Sequence, residues 1–290
     1  ANTKKGNKIT CGEESARKWT TKQIRDEMAK GARKDGRLRG FAIPVTKPVK
    51  LNVAGQLKGK GVFVGREIAP YMLGLLLGDG CVTGKTLNFS TTDAELSEYF
   101  IETVGEVSQS GISYYPRGAA KVKLEEDLEA LGLLGKRSHD KFIPRQYLFA
   151  PTEERWALLQ GLMDTDGWVE PKRACYYVTI SSRLADDVEH LARSLGAVTT
   201  RTEKAPSYEH KGEKLKGQKA YCIRIKLPNP EMAFRLTRKK EVAAEIEHQS
   251  TGRIIQKIEY EKDDYAVCIA VSNANSLYIT EDFIVTHNTD

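Results

Sequence analysis

The sequence predicts an α+β protein that contains two copies of an αββαββα repeat, followed by a segment of strands and turns. Two helices are predicted, at Ala69–Gly78 and Thr152–Thr165, and each is followed at once by Asp-Gly. After each helix, strands and amphipathic helices recur in the same order, and a repeat of whole elements constrains a fold more than any single element does. The stretch Gly252–Asn288 has only strand and turn patterns, which predicts a partial all-β region there.

The first repeat opens with a helix that is apolar on all sides, so the helix must be buried. Pro70 suits its first turn, because a proline φ angle fits the start of a helix and no amide hydrogen is needed there. The elements predicted after it are a strand at Thr86–Ser90, a helix at Asp93–Ser108, strands at Ile112–Tyr115 and Ala120–Leu124, and a helix at Glu125–Leu134.

The second repeat is predicted to open with Thr152 as the N-cap of its first helix. Apolar and polar residues alternate over Ala174–Ile180, which is typical of a strand. The predicted elements are strands at Gly167–Glu170 and Ala174–Ile180, a helix at Arg183–Leu195 ended by Gly196, strands at Ala197–Thr202 and Lys219–Leu227, and a helix at Pro230–Glu247.

These patterns divide the chain into four parts. Residues 1–66 are basic and turn-rich, residues 67–150 and 151–248 hold the two repeats, and residues 249–290 form a C-terminal segment. The elements predicted in the outer parts are a helix at Thr20–Ala32, a strand at Phe41–Val45, a linker at Gly55–Gly61, and strands at Val267–Val271 and Ser276–Thr280.

Composition indicates a soluble globular protein, because 40% of the residues are apolar and no apolar run is long enough to cross a membrane. The start lacks the apolar core of a secretory signal, so we expect a cytoplasmic protein in a bacterial, archaeal or phage-infected cell. Five scattered cysteines without a Cys-x-x-Cys pair argue against a disulfide framework or a zinc site. The net charge of +6 is a weak indication of a polyanionic partner.

Two matching octapeptides contain the candidate metal-binding residues. They are Leu73–Gly80 and Gln160–Gly167, and both place a glycine five positions before an aspartate. Small residues four apart allow two such helices to pack closely, which would bring Asp79 and Asp166 together at the helix ends. Two carboxylates there repel each other unless a cation lies between them, and Mg²⁺ suits such a site because it binds through one or two carboxylates, waters and phosphate.

These octapeptides resemble the paired LAGLIDADG motifs of homing endonucleases, and the resemblance covers about residues 68–247. It implies a saddle of two pseudo-symmetric halves whose strands line a long, asymmetric site in double-stranded DNA. It implies a monomer, since both motifs are in one chain, and a double-strand break that needs Mg²⁺ or, as a substitute, Mn²⁺. Asp79 and Asp166 become metal ligands, and Gly78 and Thr165 before them are assigned to the same metal site.

The resemblance extends to active-site lysines. Lys141-Phe-Ile-Pro resembles a block that precedes the second motif in the family and supplies a catalytic lysine, although a surface lysine before a proline turn would look the same. The second repeat should supply a pseudo-symmetric lysine. Lys239 and Lys240 both fit by position, and we assign the catalytic role to Lys240, with a solvated basic run as the alternative.

Basic residues with period-two spacing on predicted strands suit contacts with phosphates and base edges. The tyrosine pairs Tyr114-Tyr115 and Tyr176-Tyr177 lie in similar segments, where a position in the core or at its rim is the commoner alternative. The residues assigned to DNA binding are Lys121, Lys123, Arg224, Lys226, Arg117 and Lys172.

The last residues resemble the C-terminal blocks of inteins, in which an Asn cyclises, the preceding His assists and the next residue is the nucleophile. The resemblance gives these roles to Asn288, His287 and Thr289, makes Thr289-Asp290 the start of the C-extein, and places Cys268 in the preceding block. A hydroxyl is a competent nucleophile when a base activates it.

The upstream splicing blocks are not recognisable, because the chain begins with Ala1 and has no Thr-x-x-His before His139. Self-splicing by this chain alone is therefore not expected, and an N-terminal intein fragment is a candidate partner. The sequence predicts an intein-encoded homing endonuclease. The alternatives are a LAGLIDADG-fold DNA-binding protein or RNA maturase without cleavage, and the C-terminal fragment of a trans-splicing intein.

Overall fold

The structure, a computed structural model, describes residues 19–31, 40–51, 68–205, 207–210, 213–247 and 252–263, and most residues of 265–287. The chain divides into two compact units, one of residues 48–248 and one of residues 1–47 with 249–290. The linker predicted at Gly55–Gly61 lies outside the described residues. Among the described residues, no helix has both the length and the apolar character needed to span a membrane.

The first described element of the smaller unit is helix α1 (Thr21–Ala29), which lies within the helix that the sequence predicts. Thr20 and Gln23 form a reciprocal capping box, which satisfies two backbone amides at the start of the helix. Strand β1 (Ala42–Pro44) lies within the predicted strand and pairs antiparallel with residues 252–254.

The first repeat has seven elements in the predicted αββαββα order, although two of its strands are not among the segments that the sequence predicts individually. Its second helix ends at Val104, before the predicted Ser108, because Gly105 adopts a φ of +85° at its C-cap. Its four strands form one antiparallel sheet in the order β2-β3-β5-β4. The elements are α2 (Pro70–Gly78), β2 (Gly80–Val82), β3 (Leu87–Ser90), α3 (Ala94–Val104), β4 (Val107–Ser110), β5 (Ser113–Pro116) and α4 (Gly118–Ala130).

The strand predicted at Ala120–Leu124 is wrong, because these residues belong to helix α4. Leu124 and Leu128 are buried four residues apart on this helix. Lys121 pairs with Glu125, and Lys123 with Asp127, at the same spacing. Such i,i+4 pairs favour a helix, and they outweigh the short alternation that suggested a strand.

The second repeat has the same order with one addition, a hairpin inserted before its last strand, and its main sheet has the order β6-β7-β11-β8. The elements are a short joining helix α5 (Arg145–Leu148), α6 (Thr152–Thr165), β6 (Gly167–Glu170), β7 (Ala174–Thr179), α7 (Ser182–Ser194), β8 (Val198–Lys204), the hairpin β9 (Ser207–His210) and β10 (Glu213–Lys216), β11 (Ala220–Lys226), a 3-10 helix (Pro230–Ala233) and α8 (Thr237–Ala244).

Two sequence predictions for this repeat need correction. The N-cap of α6 is Pro151, and Thr152 is the first helical residue. The single helix predicted at Pro230–Glu247 is two helices, because Phe234 is extended and separates the 3-10 turn from α8. The αββαββα order of both repeats is confirmed.

Helices α2 and α6 pack against each other through glycines. A Cβ atom added at Gly74 would lie 2.6 Å from the carbonyl oxygen of Leu158, and one added at Gly161 would lie 2.3 Å from that of Tyr71. Only hydrogen fits at either position, so the backbones touch. The apolar residues of both helices are buried in one continuous core with the inner faces of the sheets, which fixes how the helix ends meet.

The C-terminal part contributes β12 (Gly252–Ile254), β13 (Leu277–Ile279) and β14 (Val285–His287) to the smaller unit. β12 pairs with β1, and β13 pairs with β14. The predicted strand at Ser276–Thr280 is confirmed by β13. The described residues of Val267–Val271 are not in a strand. The prediction of a partial all-β intein region is not tested by these short pairs.

Candidate active site

Asp79 and Asp166 occupy the C-cap positions of α2 and α6. Gly78 and Thr165, the residues before them, are in direct contact, since a Cβ atom at Gly78 would lie 2.0 Å from Thr165 Oγ1. The glycine packing of the two helices therefore continues to their last residues. The aspartates that follow lie side by side at the negative ends of two helices, as the sequence predicts.

The environment of the two aspartates opposes their ionisation. Burial and, to a smaller extent, the nearby charge of Asp79 together raise the pKa of Asp166 to about 6, although Lys141 and Lys239 act in the opposite direction. Burial also raises the pKa of Asp79. Raised carboxyl pKa values at a shared site are typical of functional centres, where a bound cation relieves the repulsion.

Lys141 caps the end of α2. Its Nζ donates hydrogen bonds to the carbonyl oxygens of Leu76, Leu77, Gly78 and Gly80 at 2.8–3.1 Å. The side chain is 4% exposed, and burial lowers its pKa to about 8. A cation at this place offsets the partial negative charge of the helix end. The carboxylate of Asp79 is thus held beside a compensating positive charge.

Lys239, and not Lys240, is the pseudo-symmetric partner of Lys141. Lys239 Nζ donates to the carbonyl oxygens of Met163, Asp164, Thr165 and Gly167 at 2.6–3.3 Å, the same set of positions one repeat later. Burial lowers its pKa to about 8 as well.

The assignment of Lys240 is therefore corrected. Lys240 is exposed, because it follows Lys239 by one residue and so points about 100° away around the helix. No signal in the sequence separates the two lysines, since each is followed by an alanine four residues later, Ala243 or Ala244.

Each capping lysine belongs to a segment that is held by the other repeat. The hydroxyl of Ser181, the N-cap of α7, donates to the carbonyl oxygen of Lys141 at 2.7 Å, and Asp187 accepts from the amide of Ile143 at 2.8 Å. In the segment that carries Lys239, Arg238 donates two hydrogen bonds to the carboxylate of Asp93 at 2.8–2.9 Å. The position of both lysines thus depends on contact between the repeats.

Asp164 is a buried carboxylate that sequence reasoning missed. It accepts from Tyr71 Oη at 2.7 Å and from the amides of Arg235 and Leu236 at 3.0–3.2 Å. These amides directly precede α8, which carries Lys239. The first repeat has Leu77 at the same motif position. A carboxylate at the motif position where the first repeat has an apolar residue is the signal that could have identified it.

The donor set suits a hard divalent cation. Among the described residues, no group of three His, Cys, Asp or Glu side chains could hold a metal, so the site offers two carboxylates, as Mg²⁺ sites commonly do. The phenol of Tyr177 is fully buried, feels the charges of both aspartates and has no hydrogen-bond partner among the described residues. An unsatisfied buried donor beside two repelling carboxylates fits a centre that holds a cation and its water.

Gly78 and Thr165 remain predicted metal contacts. The carbonyl oxygen of Gly78 accepts from Lys141 at 3.1 Å, and that of Thr165 from Lys239 at 3.3 Å. The Thr165 hydroxyl donates within its own helix, to Gly161 and Leu162. Each carbonyl keeps a second lone pair, so the structure leaves the prediction open.

The predicted DNA-binding residues fall into two groups. Arg224 and Lys226 lie on one face of β11 and are partly exposed, as predicted, and Tyr176 is opposite Arg224 in β7. Lys121 and Lys123 do not share a strand face, because they lie on helix α4 and form ion pairs there. The remaining residues are Arg117 at the N-cap of α4, Lys172 in the β6–β7 turn, Tyr114 and Tyr177 in the core, and Tyr115 partly exposed.

Only one of the predicted splicing residues is described. His287 is the last residue of β14 and pairs with Leu277. Cys268, Asn288 and Thr289 lie outside the described residues. Their roles stay predictions.

A known protein family matches the sequence of the second repeat. A family described as LAGLIDADG-like domain matches residues 153–241, which run from α6 into α8. The chain is also 31% identical over 153 residues to the replicative DNA helicase DnaB of Nostoc sp., and 28% identical over 225 residues to that of Mycobacterium intracellulare. These matches cover 44% and 76% of this chain but 17% and 35% of the helicases.

Solved structures of the homing endonuclease I-DmoI are also similar. One, in complex with DNA and Mn, is 14% identical, with 62% of this chain and 97% of that chain covered and a TM-score of 0.33. Another, a variant with nicked target DNA, is 15% identical and covers 56% of this chain and 89% of that chain, with a TM-score of 0.34. At such identity and TM-score the likeness says nothing about activity.

Proposed function

We propose that this chain is a homing endonuclease that makes a metal-dependent double-strand break in DNA and is encoded within an intein. One observation carries the proposal: two helix ends in backbone contact bring Asp79 and Asp166 together, and each end is capped by its own buried lysine. A LAGLIDADG-like domain over residues 153–241 supports it. Two carboxylates that share the negative ends of two helices repel each other, and such strained acid pairs are typical of functional centres.

The residues of the chain prepare the site for phosphodiester hydrolysis. Asp79 and Asp166 would hold Mg²⁺ or Mn²⁺, which supplies a Lewis acid for the phosphate and an activated water when bound. Lys141 and Lys239 hold the two helix ends in place and lower the local negative charge. Because their Nζ hydrogens are used by backbone carbonyls, we assign them to positioning the aspartates rather than to proton transfer.

The outer face of the second sheet offers a surface for DNA. Trp168 and Tyr176 stack with ring centroids 5.1 Å apart and interplanar angle 12°, and Arg224 is next to Tyr176 in the register. Lys226 follows on the same face. Arginine and lysine contact phosphates and guanine edges, and aromatic rings cover apolar base surfaces. Double-stranded DNA with a long, asymmetric site is the proposed partner of a single chain.

The helicase matches support an inserted element. A LAGLIDADG-like domain is not needed for unwinding DNA, so its similarity to part of DnaB sequences is what an intein inside a helicase would give. The C-terminal His287, Asn288 and Thr289, with Cys268, would then be the remaining splicing residues. An N-terminal intein fragment is a further proposed partner.

The test is cleavage of a defined substrate. The purified chain would be incubated with Mg²⁺ and a plasmid that carries an uninterrupted replicative helicase gene, and the products would be mapped at both strands. We expect one double-strand break at one site. A matched reaction with Asp166→Asn should bind the plasmid without cutting it.

Two other outcomes would count against the proposal. Binding of this DNA without cutting by the wild-type protein, at any Mg²⁺ or Mn²⁺ concentration, would favour a DNA-binding protein or maturase. Ligation of a product when an upstream intein fragment is added, without any cleavage of DNA, would favour a trans-splicing fragment.

A further inference from the structure

Tyr177 and Phe89 are equivalent residues that differ by one hydroxyl group. Tyr177 in β7 is paired with Gly167, and Phe89 in β3 is paired with Gly80. Each of these glycines directly follows the aspartate of its motif. Both aromatic side chains are fully buried. The two halves of the site are therefore alike in shape at this position and unlike in hydrogen bonding.

The hydroxyl of Tyr177 has no hydrogen-bond partner among the described residues. Buried polar groups in proteins are nearly always paired with protein or with ordered water, and an unpaired one is costly. Burial raises the pKa of Tyr177 well above its ordinary value, and the charges of Asp166 and Asp79 raise it further. At neutral pH the group is thus a protonated donor close to both carboxylates.

The surroundings leave few acceptors for this donor. The glycine opposite Tyr177 lies against the last turn of α6, since a Cβ atom there would be 2.5 Å from the carbonyl oxygen of Met163. That carbonyl already accepts from Lys239 at 2.9 Å. The ring of Tyr177 shares this face of the sheet with Gly167, so its hydroxyl lies under the helix ends that carry the aspartates.

We infer that the Tyr177 O–H donates a hydrogen bond to a water molecule held between the Asp79 and Asp166 carboxylates, where a divalent cation would complete its shell. The inference rests on the proposed function for the cation site. Tyr177 is a positioning residue in this role, because it acts through the water. The first repeat offers only Phe89, so the centre has two unlike halves, and the two DNA strands should be cut at unequal rates.

The first test measures metal binding without DNA. Mn²⁺ would be titrated into the wild-type chain, Tyr177→Phe and the matched control Phe89→Tyr, and free Mn²⁺ would be followed by electron paramagnetic resonance. Loss of a hydrogen bond to a charged centre should weaken binding about 10-fold in Tyr177→Phe. Phe89→Tyr should bind no more weakly than the wild type. Equal affinity of Tyr177→Phe and the wild type would overturn the inference.

The second test measures each DNA strand separately. With both strands end-labelled, the wild type should cut one strand faster, and Tyr177→Phe should bring the two rates closer together at unchanged DNA affinity. Urea unfolding of metal-free Tyr177→Phe should show unchanged or greater stability, since no hydrogen bond to the protein is lost among the described residues. Higher stability with the wild-type strand ratio would mean that the hydroxyl is only an unsatisfied core group.

The two proposals fail in distinguishable ways. If the wild type binds Mn²⁺ and Tyr177→Phe binds it more weakly, the role of Tyr177 stands even where no DNA is cut, and the endonuclease proposal alone fails. If DNA is cut and both the Mn²⁺ affinity and the strand ratio are unaffected by Tyr177→Phe, only the role of Tyr177 fails.

Discussion

The two repeats share the parts that bring the helix ends together and differ in the parts around them. Both have a glycine at the helix contact, an aspartate at the C-cap and a lysine bonded to the same four carbonyl positions. A second repeat that merely filled space would not need this lysine. The common features therefore define a centre that needs both halves.

The differences lie within one or two residues of that centre. Leu77 in the first repeat corresponds to Asp164 in the second, which bonds to Tyr71 and to the start of α8. On the outer face, the pair Cys81–Asn88 corresponds to the stacked pair Trp168–Tyr176. Of these two outer-face pairs, the one in the second repeat is the more aromatic, and the proposed reading of an asymmetric DNA site would use such unlike surfaces.

The largest expected effect comes from the shared aspartates. Asp79→Asn and Asp166→Asn each remove a carboxylate from the cation site, so cleavage should fall at least about 100-fold. DNA affinity should change little, because neither residue is on the strand face. Rates on both strands and the dissociation constant should be measured for each variant. Full-rate cutting by either variant would show that the two halves are not both needed.

The capping lysines should be equally important to stability. Lys141→Met or Lys239→Met removes the buried donor to four backbone carbonyls at one helix end and a positive charge near the aspartates, so unfolding free energy should fall by about 3–5 kcal/mol. Lys240→Met is the matched control and should be neutral, since that side chain is exposed. Urea unfolding checks this. A large loss in Lys240→Met and none in Lys239→Met would reverse our assignment.

The helix contact should tolerate no added atom. Gly74→Ala and Gly161→Ala force a Cβ atom against a backbone carbonyl at 2.3–2.6 Å, and a loss of about 1–3 kcal/mol is expected from overpacking. Gly40→Ala has no atom within 4 Å of the new Cβ and serves as the control. Thermal unfolding compares them. Equal melting temperatures for all variants would contradict the close helix contact.

Asp164 has no counterpart in the first repeat, and it should stabilise the contacts of α6 with Tyr71 of α2 and with the start of α8. Asp164→Leu copies Leu77 of the first repeat but leaves Tyr71 Oη and two buried amides without their acceptor. We expect a loss of about 1.5–3 kcal/mol. Leu77→Met is a volume-conserving control in the first repeat and should cost less. Hydrogen exchange of the Arg235 and Leu236 amides should rise in Asp164→Leu, and unchanged protection would contradict the bonding.

The acid pair should make the metal-free protein less stable as pH rises. In the folded state the pKa of Asp166 is raised from 3.8 to about 6, so the folded state holds this proton more tightly than the unfolded state does. The stabilisation that comes from this proton is present at low pH and is lost as the pH rises to about 6. Asp166→Asn lacks the effect. Between about pH 4.5 and 7.5 its stability relative to wild type should increase by about 2 kcal/mol. A constant difference across this range would rule out the raised pKa.

Much of this architecture could be predicted from the sequence alone. The two helices that end in Asp-Gly marked the start of each repeat, because an all-apolar helix such as α2 has to be buried and small residues four apart allow a close neighbour. The same pattern brought Asp79 and Asp166 together before any contact was known. Even the shared face of Arg224 and Lys226 followed from the period of two in a strand.

Only the tertiary structure decided which side chains serve the helix ends. Lys239 and Lys240 have equal local patterns, and a difference of one residue around a helix is settled by how α8 packs on α6. The helix at Ala120–Leu124 and the buried bonds of Asp164 depend likewise on partners that are four or about seventy residues away. Phe89 and Tyr177 are seen to be equivalent only when the strand register places each of them near the aspartate of its motif. The periodicity of the sequence determines on which face of a helix or strand a residue lies. Contacts between distant segments determine which residues that face packs against.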